Sequence, residues 1–254
     1  MTESEVRSQF LSCSTSKYRG HKSAIISLDT HPLDPNSFAS GSDDGTARLW
    51  DLRVASFAVK CFVNKIHPVS AVLFDLRSPH ILLTVVRDEI NFFDLRKDGL
   101  LDRTPLSTIA FELSDDADVN SVSIHPKDRQ LVIADDEKIT LIDISSQKQR
   151  VFTRLHSNVV SKVAFRPNSS GEMISCGFDY MYKSWDYRTG RSKLSVDLSQ
   201  AIELGSGQQI TNPPFIHDFA FVNEHKSSVL ALGDGNICLL NNANFEISCR
   251  KKGT

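Results

Sequence analysis

The sequence has no hydrophobic run that approaches the roughly 20 residues of a membrane-spanning helix. Its first residues, MTESEVRSQF, lack the basic start and apolar core of a signal peptide. Basic and acidic residues nearly balance, 29 against 31, so the chain has no overall field that would attract a polyanion such as DNA. These absences predict a protein with neither membrane nor nucleic-acid partners.

Cysteine is scarce and shows no ordered spacing. The five cysteines form no Cys-x-x-Cys pair, and their odd number would leave one unpaired in any disulfide scheme. A reducing compartment fits this usage best, so we expect a cytoplasmic or nuclear protein, or one found in both places. We expect neither a metal site nor a cofactor.

The sequence also lacks helical periodicity. No segment sustains a 3.6-residue pattern of apolar residues, which favours an all-β protein. The 254 residues are 40% hydrophobic and 24% charged, enough for one domain with a sizeable core or for one repeat array.

A repeat is what the sequence does contain. Residues 20–53 read GHKSAIISLDTHPLDPNSFASGSDDGTARLWDLR. Residues 154–188 repeat much of this pattern: RLHSNVVSKVAFRPNSSGEMISCGFDYMYKSWDYR. Its Trp-Asp position recurs five times, at spacings of 43, 49, 43 and 55 residues: Trp50-Asp51, Phe93-Asp94, Ile142-Asp143, Trp185-Asp186 and Leu240-Asn241. Spacings of roughly 40–45 residues are typical of units with four strands.

Each unit carries apolar runs separated by turn residues, and we predict a strand for each run. The first unit has a hairpin signal at Asp44-Gly45. The predicted strands of the first three units are 24–28, 38–42, 47–52 and 56–63, then 70–74, 81–85, 89–94 and 107–113, then 121–124, 131–134, 138–144 and 150–155. Residues 6–13 and 245–249 are further predicted outer strands.

Polar residues of the first unit predict a hydrogen-bonded brace. With Asp44-Gly45 as the turn, we expect Ser40 opposite Trp50 and His21 on the loop that leads into the unit. A serine hydroxyl can accept the indole N–H and donate to the histidine, whose other ring nitrogen can reach Asp44.

The same brace is predicted in the fourth unit, from residues at matching offsets: His156, Ser175, Asp179 and Trp185. The second, third and fifth units carry Phe93, Ile142 and Leu240 in place of the tryptophan. There, apolar packing must hold the unit together.

Ser, His and Asp together also raise the possibility of a hydrolase triad. A catalytic serine needs an open oxyanion site. These serines are instead expected to lie on core strands and to accept a hydrogen bond from a tryptophan indole. We therefore predict no catalytic residue, and we expect the hydroxyls of Ser40 and Ser175 to be enclosed.

These repeats resemble the WD-repeat β-propeller family, from about residue 20 to residue 241. Three stretches are similar to one subfamily in particular: LHSNVVSKVAFRP, MISCGFDYMYKSW and NPPFIHDFAF. The resemblance implies seven four-stranded blades, whereas five are visible. We expect an incomplete propeller, in which residues 6–13 would be a closing strand without a blade to join; a closed five-bladed ring is the alternative.

The predicted division of the chain follows from these repeats. Residues 1–19 form an N-terminal segment, residues 20–249 form the blades, and residues 250–254 form a short basic tail or truncation point. A polar loop at residues 196–214 is either a recognition loop or a solvated one.

An Asp-x-Arg ending follows three of the units. In context, residues 38–53 and 173–188 resemble the box found in substrate receptors of cullin-4 ubiquitin ligases, in which the Arg is implicated in docking to the damaged-DNA-binding adaptor protein. The resemblance implies these docking residues: Arg53, Arg188, Arg96, Asp51 and Asp186. Alternatively, each Arg merely pairs with its own Asp at a solvated turn.

We therefore expect a non-enzymatic interaction scaffold, a receptor that docks on the cullin-4 ligase adaptor and binds a substrate that the sequence does not name. The alternative is a peptide or histone-tail reader, or an assembly scaffold, unrelated to ubiquitin. A receptor should leave Arg53 and Arg188 clear of internal carboxylates. A reader should show an acidic or aromatic-lined central pocket.

Overall fold

The computed structural model describes residues 18–54, 57–63, 67–115, 117–136, 138–169, 171–201, 213–222, 226–242 and 246–250. Within these ranges the regular secondary structure is almost entirely β, as the sequence predicts. In the part of the chain that the structure describes, one helical turn, α1 (Leu198–Ala201), lies between strands.

The strands fall into five groups, here called blades 1 to 5. Blade 1 contains β1 (Ile25–Thr30), β2 (Ser37–Ser42), β3 (Thr46–Asp51) and β4 (Lys60–Val63). The next stretch contains β5 (Ala71–Phe74), β6 (Ile81–Val86), β7 (Glu89–Asp94), β8 (Leu101–Asp102) and β9 (Ser107–Ala110). Blade 3 contains β10 (Ser121–Ile124), β11 (Gln130–Ala134), β12 (Ile139–Asp143) and β13 (Gln149–Phe152).

Blade 4 contains β14 (Val160–Phe165), β15 (Glu172–Gly177), β16 (Met181–Asp186) and β17 (Arg191–Asp197). Blade 5 contains β18 (Ile216–Val222), β19 (Ser227–Leu232), β20 (Ile237–Asn241) and β21 (Ile247–Arg250).

Every blade is an antiparallel meander whose strands lie side by side in chain order. Blade 2 consists of β5, β6, β7 and β9, because β8 leaves it and pairs in parallel with β4 of blade 1. Strand patterning in the sequence does not predict β8, which is only two residues long.

Consecutive blades pack face to face. Their first strands are neighbours, β1 with β5, β5 with β10, β10 with β14, and β14 with β18. One apolar cluster fills the space between each pair of consecutive blades. The cores of this fold therefore lie between the sheets, which is how a sheet that cannot bury its own faces becomes stable.

Polar side chains of a first strand also bind the backbone of the next blade. In blade 1 the Ser27 hydroxyl accepts the N–H of Val72 at 3.0 Å, and an Asp29 carboxylate oxygen accepts the N–H of Phe74 at 2.8 Å. Such bonds set the position of one blade along its neighbour, since apolar packing alone has no direction.

The predicted register of the first hairpin is wrong. Ser40 lies opposite Arg48, and Trp50 lies opposite Phe38. The connection between β2 and β3 is three residues long and ends in Gly45, whose φ is 74°. The shift is an even number of residues, so Ser40 and Trp50 stay on one face as diagonal neighbours.

Most predicted strands coincide with observed ones to within a residue or two, but three boundaries differ. The outer strand of blade 1 begins at Lys60, β9 ends at Ala110, and β13 ends at Phe152. The predicted strand at 6–13 and most of the loop at 196–214 lie outside the described residues. Of the predicted strand at 245–249, the structure has β21, which extends to Arg250.

The cysteines are not all alike. Cys61 and Cys176 are free thiols, whereas Cys238 is disulfide-bonded, and Cys249 is its backbone partner in the register of β20 and β21. The cysteine spacing in the sequence does not predict the disulfide at Cys238. Within the described ranges, no helix has the length and apolar character required to cross a membrane.

The five blades form an open arc, not a closed ring. Among the described strands, those of blade 5 do not pack against blade 1 as consecutive blades do. Leu28 of blade 1 is 67% exposed, whereas Val163, which holds the same place opposite the brace serine of blade 4, is 0% exposed. At the other end of the arc, Ile237 of blade 5 is 60% exposed. Tyr182, which holds the same position in the third strand of blade 4, is buried.

This contrast predicts unequal costs for two matched truncations. Val163→Ala should lower the free energy of unfolding by about 2 kcal/mol, because it removes buried methyl groups and leaves a cavity. Leu28→Ala should change it by no more than about 0.5 kcal/mol. Urea unfolding of both variants measures the difference, and equal losses would show that Leu28 is covered in solution.

Candidate functional site

Four polar side chains of blade 1 form the predicted hydrogen-bonded chain. The Trp50 indole N–H donates to the Ser40 hydroxyl at 2.7 Å, and that hydroxyl lies 2.7 Å from His21 Nε2. His21 Nδ1 lies 3.0 Å from a carboxylate oxygen of Asp44. The Asp44 carboxylate can only accept, so His21 carries a proton on Nδ1, and Nε2 of the neutral imidazole accepts the hydrogen bond of the Ser40 hydroxyl.

Blade 4 repeats this geometry. The Trp185 indole donates to the Ser175 hydroxyl at 2.8 Å, His156 Nε2 lies 2.7 Å from that hydroxyl, and His156 Nδ1 lies 2.9 Å from Asp179. In both blades this series of hydrogen bonds connects the loop before the first strand to the hairpin before the third strand. We call each set of four residues a brace.

Burial and hydrogen bonding fix the charge states in the first brace. Burial lowers the pKa of His21, despite its hydrogen bond to Asp44. Burial would raise the pKa of the Asp44 carboxyl, but hydrogen bonds from Thr46, the Lys22 N–H and His21 outweigh it and hold this pKa well below its usual range. The brace therefore pairs a neutral imidazole with a carboxylate.

The brace serines are closed to substrates. Ser40 is 1% exposed and Ser175 is 0% exposed, and each hydroxyl binds an indole and an imidazole. These hydroxyls cannot act as nucleophiles in this arrangement.

In blades 2, 3 and 5, apolar side chains take the place of the indole, at Phe93, Ile142 and Leu240, all of them buried.

Between blades 4 and 5 lies a polar network that the sequence did not reveal. The Tyr182 hydroxyl lies 2.7 Å from the Ser228 hydroxyl, which donates to Asn242 at 3.1 Å.

Arg53 and Arg96 are exposed but paired with their own aspartates. The Arg53 guanidinium donates to both carboxylate oxygens of Asp51 and to Asp34, each at 2.8 Å. Arg96 makes the same two-pronged contact with Asp94, at 2.9 and 2.8 Å. Hydrogen bonds from Arg53 and Arg96 hold the pKa values of Asp51 and Asp94 below their usual range.

Arg188 is arranged differently. Asp186 accepts the backbone N–H groups of Arg188 and Thr189, at 2.9 and 3.2 Å, and within the described chain no hydrogen bond joins the Arg188 guanidinium to that carboxylate. The Arg188 side chain lies beside Gly171 and interacts with the Tyr187 hydroxyl. It is the predicted docking arginine whose guanidinium is not paired with its own aspartate.

The turns that carry Arg96 and Arg188 are held by the preceding blade. Lys60 on β4 donates to the carbonyl of Leu95 at 3.3 Å, and Arg150 on β13 donates to the carbonyl of Thr189 at 2.9 Å. The sequence did not reveal these caps, because they depend on how adjacent blades align. They satisfy carbonyls that would otherwise be left without donors.

Metal binding finds no support in the described ranges, where no group of three or more His, Cys, Asp or Glu side chains is placed to hold an ion. A cleft of about 250 Å³ between blades 2 and 3 has a mixed lining that includes His67, Arg87, Asp118 and Val119. This cleft is neither acidic nor aromatic, but a larger one, of about 710 Å³, has Asp88, Glu112 and Asp115 in its lining.

The lowered pKa of His21 predicts that acid weakens the fold, and burial lowers the pKa of His125 as well. When the folded-state pKa is depressed, the unfolded chain binds the proton first, so this stability is full above about pH 6.5 and declines below it. Melting temperature should fall from pH 7 to pH 5. His21→Gln should melt lower at pH 7 but lose less on acidification.

The matched control is His67→Gln, which changes an exposed histidine outside both braces and should keep the wild-type profile. A wild-type melting temperature that rises from pH 7 to pH 5 would contradict this assignment of charge states.

Comparisons with known proteins agree with this architecture. The family model described as "WD domain, G-beta repeat" matches residues 11–51. A WD repeat-containing protein 53 homolog of Dictyostelium discoideum is 26% identical over 247 residues, which cover 91% of this chain and 65% of that protein. A guanine nucleotide-binding protein subunit beta of Arabidopsis thaliana is 31% identical over 37% of this chain and 28% of its own length.

A shorter match is the ribosome biogenesis protein ytm1 of Pyrenophora tritici-repentis, 53% identical over 38 residues, or 15% of this chain and 8% of that protein. The chain spans less than two thirds of the length of each of these relatives. Tyr18 packs against Phe38 and Trp50, so the matched repeat reaches into the segment predicted to precede the blades. Its repeats, its braces and its five sheets are similar to those of WD-repeat β-propeller proteins.

Proposed function

We propose that this chain is a non-enzymatic interaction scaffold that docks on the adaptor of a cullin-4 ubiquitin ligase, with Arg188 as the main anchor. WD-repeat proteins generally bind other proteins, and the docking role is the specific step proposed for this one. The observation that supports it is the exposed Arg188, whose own aspartate is occupied by backbone N–H groups.

The three Asp-x-Arg turns share one edge of the arc. Asp51, Asp94 and Asp186 each end the third strand of their blade, and the third strands of all blades run in the same sense between the edges. Blades 1, 2 and 4 therefore present an arginine on the same side. We call this side the arginine edge.

Arg188 suits the role of an anchor for a physical reason. A guanidinium keeps its charge at all physiological pH values and offers a planar fork of donors that fits a carboxylate or a pair of carbonyls. Its turn is already fixed by the contact between Arg150 and the Thr189 carbonyl, so docking would not need to order the backbone.

Arg53 and Arg96 support the docking proposal less. Their guanidinium groups are already occupied by Asp51 and Asp94, so a partner would have to compete with these internal carboxylates. This pairing favours the second candidate, a protein scaffold or peptide reader unrelated to ubiquitin, in which the Asp-x-Arg turns are only structural.

Co-purification of the damaged-DNA-binding adaptor with tagged chains tests the proposal. Arg188→Ala should weaken adaptor binding about thirtyfold, as expected when an anchor worth about 2 kcal/mol is removed. Arg53→Ala should weaken it much less, because Arg53 is held by its own carboxylates. Arg188→Lys should not restore binding, since lysine lacks the planar fork.

Circular dichroism and melting temperature of each variant separate docking from folding. Equal adaptor recovery by the wild type and by folded Arg188→Ala would remove the docking proposal and leave the second candidate.

A further inference from the structure

Four aromatic side chains meet on the other edge of blades 4 and 5: Phe178, Tyr180, Phe215 and His217. We call them the aromatic cluster. Tyr180 stacks on Phe215 with ring centroids 5.2 Å apart and planes inclined by 21°. The ring centroid of Phe178 lies 5.1 Å from that of Phe215 and 5.2 Å from that of His217. None of the four is buried, and His217 is exposed, so the cluster offers ring surface to solvent.

The cluster joins two sequence stretches that the repeat pattern leaves unexplained. Phe178 and Tyr180 lie in MISCGFDYMYKSW, at the hairpin before β16, and Phe215 and His217 lie in NPPFIHDFAF, where the chain enters β18. In blade 1 the corresponding hairpin positions are Asp43 and Gly45, so the repeat itself does not require aromatic rings there.

Tyr180 has a backbone conformation that tyrosine rarely adopts. Its φ is 64°, whereas the same turn position is glycine in blades 1 and 5, Gly45 with φ 74° and Gly235 with φ 84°. A bulky residue in this left-handed region is strained by about 1 kcal/mol or more. Strain of this kind concentrates at functional sites, and here it places the Tyr180 ring on Phe215.

An acidic residue follows the glycine that contacts the cluster. Gly233 lies against His217, and the next residue, Asp234, accepts hydrogen bonds from Asn236 and occupies the hairpin position at which Asp44 and Asp179 bind a brace histidine. Aromatic faces next to a carboxylate attract a cation, through the ring quadrupole and through direct charge.

We propose that the aromatic cluster and Asp234 bind an extended segment of a partner protein through its lysine or arginine side chains. The cluster lies at one end of β16 and the Arg188 turn follows the other end, about 17 Å away for a strand of this length. A segment bound at the cluster leaves the arginine edge free. The inference is therefore independent of adaptor docking.

The test uses fluorescein-labelled peptides of repeated Gly-Ser-Lys and Gly-Ser-Glu units, with binding to the whole chain followed by fluorescence anisotropy. The lysine peptide should bind and the glutamate peptide should not. Tyr180→Gly should weaken binding of the lysine peptide about fivefold, as expected for one lost cation–π contact. The variant should fold at least as well as the wild type, because glycine suits the left-handed turn.

Two further variants sharpen the test. Asp234→Asn should also weaken lysine-peptide binding, whereas Phe57→Ala, which removes an exposed ring on blade 1, should leave it unchanged. Equal binding by the wild type and Tyr180→Gly, or equal binding of an uncharged proline-rich peptide, would overturn the proposal. Adaptor recovery by Tyr180→Gly should match the wild type, so failure here and failure of docking are distinguishable.

Discussion

The hydrogen bond from a tryptophan indole to a buried serine is the contact on which the proposed surfaces of blade 4 depend. Through Ser175 and His156 it connects the core strands to Asp179, which sits in the hairpin between the two aromatic residues of that turn. Trp185 is the next-to-last residue of β16, directly before Asp186, and the anchor Arg188 follows in the turn after the strand. One buried contact thus positions both ends of a strand.

The fold supports this arrangement because its cores lie between blades. Every sheet is stabilised by its neighbours, so the edges of the arc are free to carry side chains that packing does not specify. The arginine edge is built from strand ends, and in blades 2 and 4 the preceding blade caps the carbonyls of the turn that follows. The opposite edge is built from hairpins, which tolerate unusual residues such as Tyr180. The two edges can therefore serve different partners.

The sequence was sufficient to predict the strands and the members of both braces, because strand patterning and buried polar chemistry act over short distances. It was insufficient for the hairpin register, which depends on the left-handed conformation of Gly45 and not on the Asp-Gly pair alone. It could not show that Arg53 is paired and Arg188 is not, since both follow the same Asp-x-Arg spacing. Contacts between blades, such as the Arg150 cap and the aromatic cluster, join residues far apart in the chain.

The most direct test of this account is hydrogen exchange of the two indole N–H groups, followed by NMR of protein labelled with ¹⁵N-tryptophan. The chain has only two tryptophans, so each brace reports as one signal. Both N–H groups should exchange at least about a hundredfold more slowly than free indole, because each is buried and bonded to a serine. Exchange of either at the rate of free indole would contradict the braces and the surfaces that depend on them.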